Sequence, residues 1–175
     1  LKKARNNILL NKKYKNNIFI YNFNLLNFEN YSILFKKLKK KFKSIDFIFQ
    51  CAALPEKNNY FPLLTSTNKY MKNSIKLNFL SNVYLFRNFI KFFEIKKKTR
   101  FVFFTSRAGW SNKKGHGVYN LTKSSLNSFV SSLSEELRYY KKYKNLEVIC
   151  LEPGEAKTEM NKGSKDNTNK ILKVI

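Results

Sequence analysis

The sequence predicts an α/β fold, a doubly wound parallel sheet in three layers. The first observation is a short uncharged apolar run at Phe101–Phe104, which is typical of a strand buried on both faces of a parallel sheet. The second is that several such runs alternate with amphipathic helical patterns. With 175 residues, 43% of them hydrophobic, residues 1–175 are predicted to form a single partial domain.

The first third of the chain contains two predicted strands and one helix. Residues Leu1–Asn17 are polar and basic and are interpreted as the end of a helix and a loop. Asn17–Phe23, rich in Ile, Phe and Tyr, is predicted to be a strand, and Asp46–Leu54 a second, buried strand. The helix between them has an apolar stripe at steps of three and four: Tyr31, Leu34, Phe35, Leu38 and Phe42.

The remaining elements continue the alternation. After a loop at Pro55–Pro62, Thr65 or Ser66 is expected to cap a long helix that ends near Phe93. The elements beyond Phe101–Phe104 are a helix that carries Tyr119 and ends near Lys142, a buried strand at Leu146–Leu151, and an outward turn at Glu152–Gly154.

Composition restricts the function classes. The formal net charge of +24 invites a nucleic-acid interpretation, but the lysines are scattered, and no nucleic-acid-reading motif is present. Cys51 and Cys150 are expected to be reduced core thiols, and a zinc or disulfide framework is not supported. His116 is the only histidine, so no metal site built on several imidazoles is expected, and His116 itself is interpreted as a loop surface residue.

No apolar stretch approaches the roughly 20 residues that a membrane span requires. The chain begins at Leu1 without a secretory signal pattern. A soluble, cytoplasmic protein is therefore the expectation.

The candidate site lies between Ser106 and Lys123. Ser106 follows a predicted strand, and Tyr119 and Lys123, four residues apart, share one face of the next helix. In open α/β sheets the ligand crevice lies outside the carboxyl ends of the strands, where these side chains would meet. A nearby ammonium favours the phenolate and lowers the pKa of a phenol, which then exchanges a proton with a carbonyl or alcohol oxygen. A serine hydroxyl orients that oxygen.

With these motifs in place, the chain resembles the short-chain dehydrogenase/reductase family over nearly all of its length. Ser106 and the Tyr119-x-x-x-Lys123 motif are similar to the family's catalytic set. Asn78 matches the asparagine that helps to hold a proton-relay water near the lysine. Pro153–Thr158 is similar to the Pro-Gly-x-Val-x-Thr segment that touches the nicotinamide end of the cofactor.

The resemblance implies a Rossmann-like fold and an NAD(P)-dependent oxidoreductase that interconverts a carbonyl and an alcohol. Tyr119 would be the general acid/base, Lys123 would lower its pKa and bind the nicotinamide ribose, and Ser106 and Tyr119 would bind the substrate oxygen. The cofactor is expected to be NAD or NADP, with no metal. The resemblance assigns the following residues to the cofactor: Asn24, Gln50, Ala52, Tyr119, Lys123, Pro153, Gly154, Ala156 and Thr158.

The sequence departs from the family pattern in three places. Ala53 stands where a glycine is usual, and Asn24 stands where an aspartate usually contacts the adenine. None of the 5 glycines precedes Gly109, so the first βαβ strand and its glycine-rich turn have no counterpart. The chain is therefore expected to be a fragment, incomplete at both ends, of a protein that forms a homodimer or homotetramer when complete.

Two alternatives remain open at the level of sequence. One is a catalytically inactive relative that binds a nucleotide or a partner protein. The other is a basic nucleic-acid-binding protein. The leading prediction is an enzyme with a small-molecule carbonyl or alcohol substrate, no specific nucleic acid and no membrane partner.

Overall fold

The computed structural model describes residues 17–54, 62–112 and 114–154 and contains a parallel sheet of three strands. The strands are β1 (Phe47–Gln50), β2 (Thr99–Phe104) and β3 (Leu146–Leu151), in the order β1-β2-β3. Both pairings are parallel, and Phe49, Val102 and Ile149 lie side by side across them. The predicted α/β class with a parallel sheet is confirmed.

Helices connect consecutive strands, as parallel pairing requires. The helical elements are α1 (Tyr31–Lys41), α2 (Asn68–Ser74), a π-helical segment (Ile75–Leu80), α3 (Ser81–Phe92) and α4 (Gly117–Tyr139). Short 3₁₀ turns occupy Phe28–Asn30, Arg107–Gly109 and Lys141–Tyr143. The segments α2, π and α3 follow one another directly and form one long helix between β1 and β2.

The core lies between the sheet and helices α3 and α4, and aromatic rings fill it. Phe101 and Phe103 of β2 are fully buried. Phe86 of α3 contacts Phe101 with 5.2 Å between ring centroids, and Phe129 of α4 contacts Phe103 at 5.9 Å. Edge-to-face rings such as these add to the free energy gained by burying apolar area. This packing fixes α4, and the side chains at its start, against the end of β2.

The opposite face of the sheet is more open in the described part of the chain. Phe47 and Phe49 alternate with Ile48 and Gln50 along β1, so the two pairs lie on opposite faces of the sheet. Phe47 and Phe49 are 49% and 46% exposed, and their rings stack 5.9 Å apart. The described helices α3 and α4 therefore cover one of the two faces.

Several predicted boundaries were wrong by a few residues. The long helix is capped by Thr67, whose hydroxyl accepts from the backbone N–H of Tyr70 at 3.2 Å, and not by Thr65 or Ser66. The helix that carries Tyr119 ends at Tyr139, where the extended backbone of Tyr140 stops it, and does not reach Lys142.

The strand predicted at Asn17–Phe23 is also wrong, because this segment joins no ladder of the described sheet. It packs through its side chains instead, and Phe23 meets Tyr31 edge to face at 5.0 Å. A composition rich in Ile, Phe and Tyr favours extended backbone, but it does not provide a neighbouring strand.

The two cysteines are free, as predicted, but they are not core thiols. Both Cys51 and Cys150 are exposed. Cys51 follows the last residue of β1, and Cys150 lies in β3, an edge strand of the described sheet. Phe47 and Phe49 of β1 are themselves nearly half exposed, so a position just after this strand does not bury Cys51, and Cys150 lies in a strand with a described neighbour on one side alone.

Candidate active site

Lys123 is anchored at the carboxyl end of β2. Its Nζ donates a hydrogen bond to the carbonyl oxygen of Phe104 at 2.8 Å, and the residue is only 4% exposed. Phe104 is the last residue of β2, and Ser106 follows two positions later. The packing of α4 on β2 therefore brings the ammonium to the strand end that carries the serine.

Tyr119 and Lys123 are neighbours on the first turns of α4. The Nζ atom of Lys123 lies 5.5 Å from the centroid of the Tyr119 ring. The tyrosine is partly buried and the lysine almost fully buried. A spacing of four residues on a helix places two side chains one above the other, which accounts for this proximity.

Burial changes the ionisation of the lysine. Desolvation lowers the pKa of Lys123 from 10.5 to about 8, and this effect outweighs the opposing influence of Cys150. The side chain is therefore still mainly protonated at neutral pH, but its proton is held weakly enough to exchange close to physiological pH. Strongly shifted pKa values of this kind are common at functional sites.

Asn78 lies in the π-helical segment and bridges two elements of the site. Its Oδ1 accepts from the backbone N–H of Leu54 at 2.7 Å, and its Nδ2 donates to Oγ1 of Thr122 at 3.3 Å. The side chain is 1% exposed. The asparagine therefore connects the segment after β1 with α4, one residue before Lys123. π-helical turns inside α-helices frequently occur at functional sites.

Ser106 begins the 3₁₀ turn that follows β2. Its Oγ accepts from the backbone N–H of Ala108 at 3.2 Å, and the residue is partly exposed. Ser124 of α4 donates from its Oγ to the carbonyl of Gly109 at 3.0 Å and so fastens this turn to the helix. A serine hydroxyl can accept and donate at the same time, so this contact leaves the hydroxyl hydrogen of Ser106 able to bond another acceptor.

A second polar cluster, not identified from the sequence, supports the strand end. Asn127 is 4% exposed, and its Oδ1 accepts from Oγ1 of Thr105 and, at 3.4 Å, from Sγ of Cys150. Asn127 thereby joins α4, β2 and β3 directly beside Ser106. The one sequence signal was its position four residues after Lys123, which places it on the same helix face.

The residues assigned to the cofactor are only partly described. Oδ1 of Asn24 accepts from the backbone N–H of Leu26 at 3.0 Å in an exposed turn. Gln50 is 6% exposed, and its Nε2 donates to Oγ of Ser81 at 3.3 Å, so its side chain turns into the core rather than toward solvent. Ala52 is partly buried just beyond β1.

Gly154 and its neighbours follow β3. Pro153 is partly buried, and Gly154 is exposed with a φ of 72°, a conformation that favours glycine. Ala156 and Thr158 lie outside the described residues. The assignment of these residues to a cofactor remains a prediction.

A cavity of about 410 Å³ lies on another face of α4. At 100° per residue, Leu121 and Ser124 lie about 100° or more around the helix from both Tyr119 and Lys123. The cavity is therefore separate from the candidate active site. Its lining consists of Pro62, Leu63, Asn112, Lys114, Gly115, Gly117, Asn120, Leu121 and Ser124.

Within residues 17–54, 62–112 and 114–154, no group of three or more His, Cys, Asp or Glu side chains is arranged to hold a metal ion. Among the same residues, no helix has the length and apolar character needed to cross a membrane.

A parallel α/β sheet with a serine after its middle strand, followed by a helix with a tyrosine and a buried lysine, defines the class of short chain dehydrogenases. The chain belongs to this family, because the family model described as short chain dehydrogenase matches residues 2–169.

Individual relatives agree with this membership. The 3-oxoacyl-acyl-carrier-protein reductase FabG of Buchnera aphidicola subsp. Schizaphis graminum is 29% identical over 153 residues, which are 87% of this chain and 60% of the relative. A short chain dehydrogenase from Escherichia coli CFT073, solved in complex with NADPH, has a TM-score of 0.85 at 17% identity and is matched over 99% of this chain and 74% of its own.

A short chain dehydrogenase from Salmonella enterica serovar Typhi has a TM-score of 0.78 at 16% identity, with 88% of this chain and 65% of that chain covered. These solved structures confirm the Rossmann-like fold. The chain spans 60% of the length of its curated relative and about two thirds of the Salmonella structure.

Proposed function

We propose that the protein is an NAD(P)-dependent oxidoreductase that interconverts a carbonyl and an alcohol. The observation that carries the proposal is the position of Lys123. Its buried ammonium lies 5.5 Å from the ring centroid of Tyr119 and donates to the carbonyl two residues before Ser106. One cation is thus held beside a phenol, and its acceptor lies two residues before a serine, at the edge of the sheet where α/β proteins bind ligands.

The described residues fit a nicotinamide dinucleotide. An ammonium and a phenol hydroxyl suit the hydroxyl groups of a ribose, and the small side chain of Ala52 leaves room for close approach beside β1. The φ of 72° at Gly154 turns the backbone after β3, and among the described residues a side chain there would meet nothing within 4 Å. When bound, the cofactor supplies or accepts the hydride.

The protein's own residues handle the proton. In reduction, Tyr119 donates its hydroxyl proton to the substrate oxygen as that oxygen gains negative charge, and in oxidation the phenolate takes the proton back. The Lys123 ammonium favours the phenolate form. Ser106 donates its hydroxyl hydrogen to the same substrate oxygen, which orients the carbonyl and stabilises the developing charge. Asn78 holds the segment after β1 and the start of α4 in register for these contacts.

The proposal also includes the predicted domain organisation, localisation, oligomeric state and partners. Residues 1–175 would be one partial domain of a cytoplasmic protein that forms a homodimer or homotetramer and acts on a small molecule without binding specific nucleic acid. Family membership supports these statements. The name of the curated relative, a 3-oxoacyl-acyl-carrier-protein reductase, makes 3-oxoacyl thioesters the first substrate class to assay.

The decisive variant is Tyr119→Phe in the full protein, assayed by the absorbance change of NAD(P)H. We expect kcat to fall by about 10²–10⁴, the range that a proton-transferring side chain contributes, with dinucleotide affinity nearly unchanged. Tyr139→Phe is the matched control, because Tyr139 lies on the same helix and is 84% exposed. Full activity of Tyr119→Phe would refute the assignment.

The same assays separate the alternatives. A wild-type protein that binds a dinucleotide but turns over no carbonyl or alcohol in a broad panel would be the inactive relative. Salt-sensitive DNA binding tighter than micromolar, without dinucleotide binding, would support the nucleic-acid alternative.

A further inference from the structure

The hydroxyl of Thr122 lies at the centre of a buried chain of hydrogen bonds that joins three parts of the site. Thr122 is fully buried. It immediately precedes Lys123 but faces the π-helical segment, whereas Lys123 reaches the end of β2. A threonine in a helix interior is less favourable than alanine by a few tenths of a kcal/mol, so an interaction of its hydroxyl is expected to offset this cost.

The donors and acceptors of these hydrogen bonds follow one another in a single direction. The backbone N–H of Leu54 donates to Oδ1 of Asn78 at 2.7 Å, and Nδ2 of Asn78 donates to Oγ1 of Thr122 at 3.3 Å. Oγ1 of Thr122 then donates to the carbonyl oxygen of Tyr119 at 2.9 Å. The Thr122 hydroxyl is therefore both acceptor and donor, and it fixes which way the Asn78 amide faces.

We infer that Thr122 is a positioning residue, whose hydroxyl orients the Asn78 amide between the segment after β1 and the helix turn that carries Tyr119. Without that hydroxyl, Nδ2 of Asn78 would be buried without its acceptor on α4, which costs free energy and favours rotation of the amide. Rotation would move Oδ1 away from the Leu54 N–H. The effect on turnover rests on the proposed function, whereas the effect on Leu54 does not.

Three variants of the full protein test this role. Thr122→Val keeps the shape and removes the hydroxyl, Thr122→Ser keeps the hydroxyl, and Ser125→Ala is the matched control. Oγ of Ser125 donates to the carbonyl of Leu121 at 2.9 Å on the exposed side of the same helix. We expect kcat to fall about tenfold in Thr122→Val with little change in KM, and to stay within about twofold of wild type in the other two variants.

A double-mutant cycle separates positioning from general stability. If Thr122 acts through Asn78, adding Thr122→Val to Asn78→Ala should lower kcat by less than about twofold further, since neighbouring groups that share one interaction are not additive. Full additivity of the two changes in kcat would overturn the inference. If Thr122→Val does not fold, Thr122→Ala replaces it with the same expectations.

Amide exchange provides a readout independent of turnover. Exchange of the Leu54 N–H should be about tenfold faster in Thr122→Val than in wild type, and unchanged in Thr122→Ser and Ser125→Ala. An unchanged Leu54 amide in Thr122→Val overturns the positioning role. A wild-type protein without hydride transfer would instead refute the proposed function, and Leu54 exchange would then decide the role of Thr122 alone.

Discussion

Lys123, a buried cation, brings a stability cost to the candidate site. The folded protein holds this ammonium away from water with one carbonyl as its described hydrogen-bond acceptor, and its pKa falls to about 8. An isolated charge in such surroundings is expensive unless it is paired. If Tyr119 reacts as proposed, the protein loses stability in order to hold a cation beside that phenol, as functional sites commonly do.

The pH dependence of stability follows from this shift. Well below pH 8 the lysine is protonated in both states, and the penalty is fully present. Between about pH 8 and 10.5 the folded state has lost the proton that the unfolded state keeps, so the free energy of unfolding rises with pH. The wild-type protein should therefore gain about 2 to 3 kcal/mol from this group by pH 10, relative to pH 7.

Lys123→Met should remove that gain while it abolishes turnover. We expect urea denaturation to show that the wild-type protein gains about 2 to 3 kcal/mol of unfolding free energy, relative to Lys123→Met, between pH 7 and pH 10. Lys72→Met, at an exposed position of α2, is the control and should show no such change. Parallel pH profiles for wild type and Lys123→Met would contradict the burial of the charge.

At the scale of elements, the site depends on how the turn after β2 packs on α4. Gly109 lies in that turn, directly against Nδ2 of Asn127, and a Cβ at Gly109 would also lie 3.0 Å from the carbonyl oxygen of Lys123. The backbone of Lys123 on one side and the buried amide of Asn127 on the other leave little room for a methyl group at Gly109. The absence of a side chain is what allows the turn and the helix to meet.

Gly109→Ala should therefore destabilise the protein by about 1 to 3 kcal/mol, the usual cost of overpacking. The displaced Asn127 would release Thr105, so kcat should fall as well. Ser111→Ala, an exposed change in the next turn, should alter stability by less than about 0.5 kcal/mol. Thermal denaturation of both variants measures the difference, and equal melting temperatures would show that the turn moves freely.

The elements also show what the sequence can and cannot predict. The strand at Phe101–Phe104 was predictable because an uncharged run of four residues is too short for a helix. The π-helical segment could not be predicted, because its sequence has the same apolar pattern as an α-helix. The position of the Asn78 amide depends on tertiary contacts to Leu54 and Thr122. The Thr105–Asn127 contact was hidden for the same reason, since 22 residues separate its partners.

On the scale of the whole molecule, charge and apolar exposure oppose each other. With 35 Lys and Arg against 11 Asp and Glu, like-charge repulsion keeps copies of the chain apart at low ionic strength. Most of the described ion pairs are exposed, for example Lys97 with Asp46 and Lys98 with Glu147, and such pairs contribute little to stability. Most of the positive charge therefore remains solvated and available for repulsion.

The stacked rings of Phe47 and Phe49 favour association instead. They lie nearly half exposed on an edge strand of the described sheet, and edge strands with apolar side chains are templates for pairing with another chain. Because salt screens the repulsion and leaves the apolar contact intact, the 175-residue chain should self-associate more strongly as ionic strength rises.

Phe49→Lys should suppress that association, because it breaks the apolar pair and adds a charge to the edge. We expect light scattering to show a lower mean mass for the variant than for the wild-type chain at high salt, with the two nearly equal at low salt. Tyr139→Lys, which alters an exposed aromatic residue at the end of α4, is the control for added charge alone. If both lysine variants lower the mass equally, net charge and not the open face of the sheet governs association.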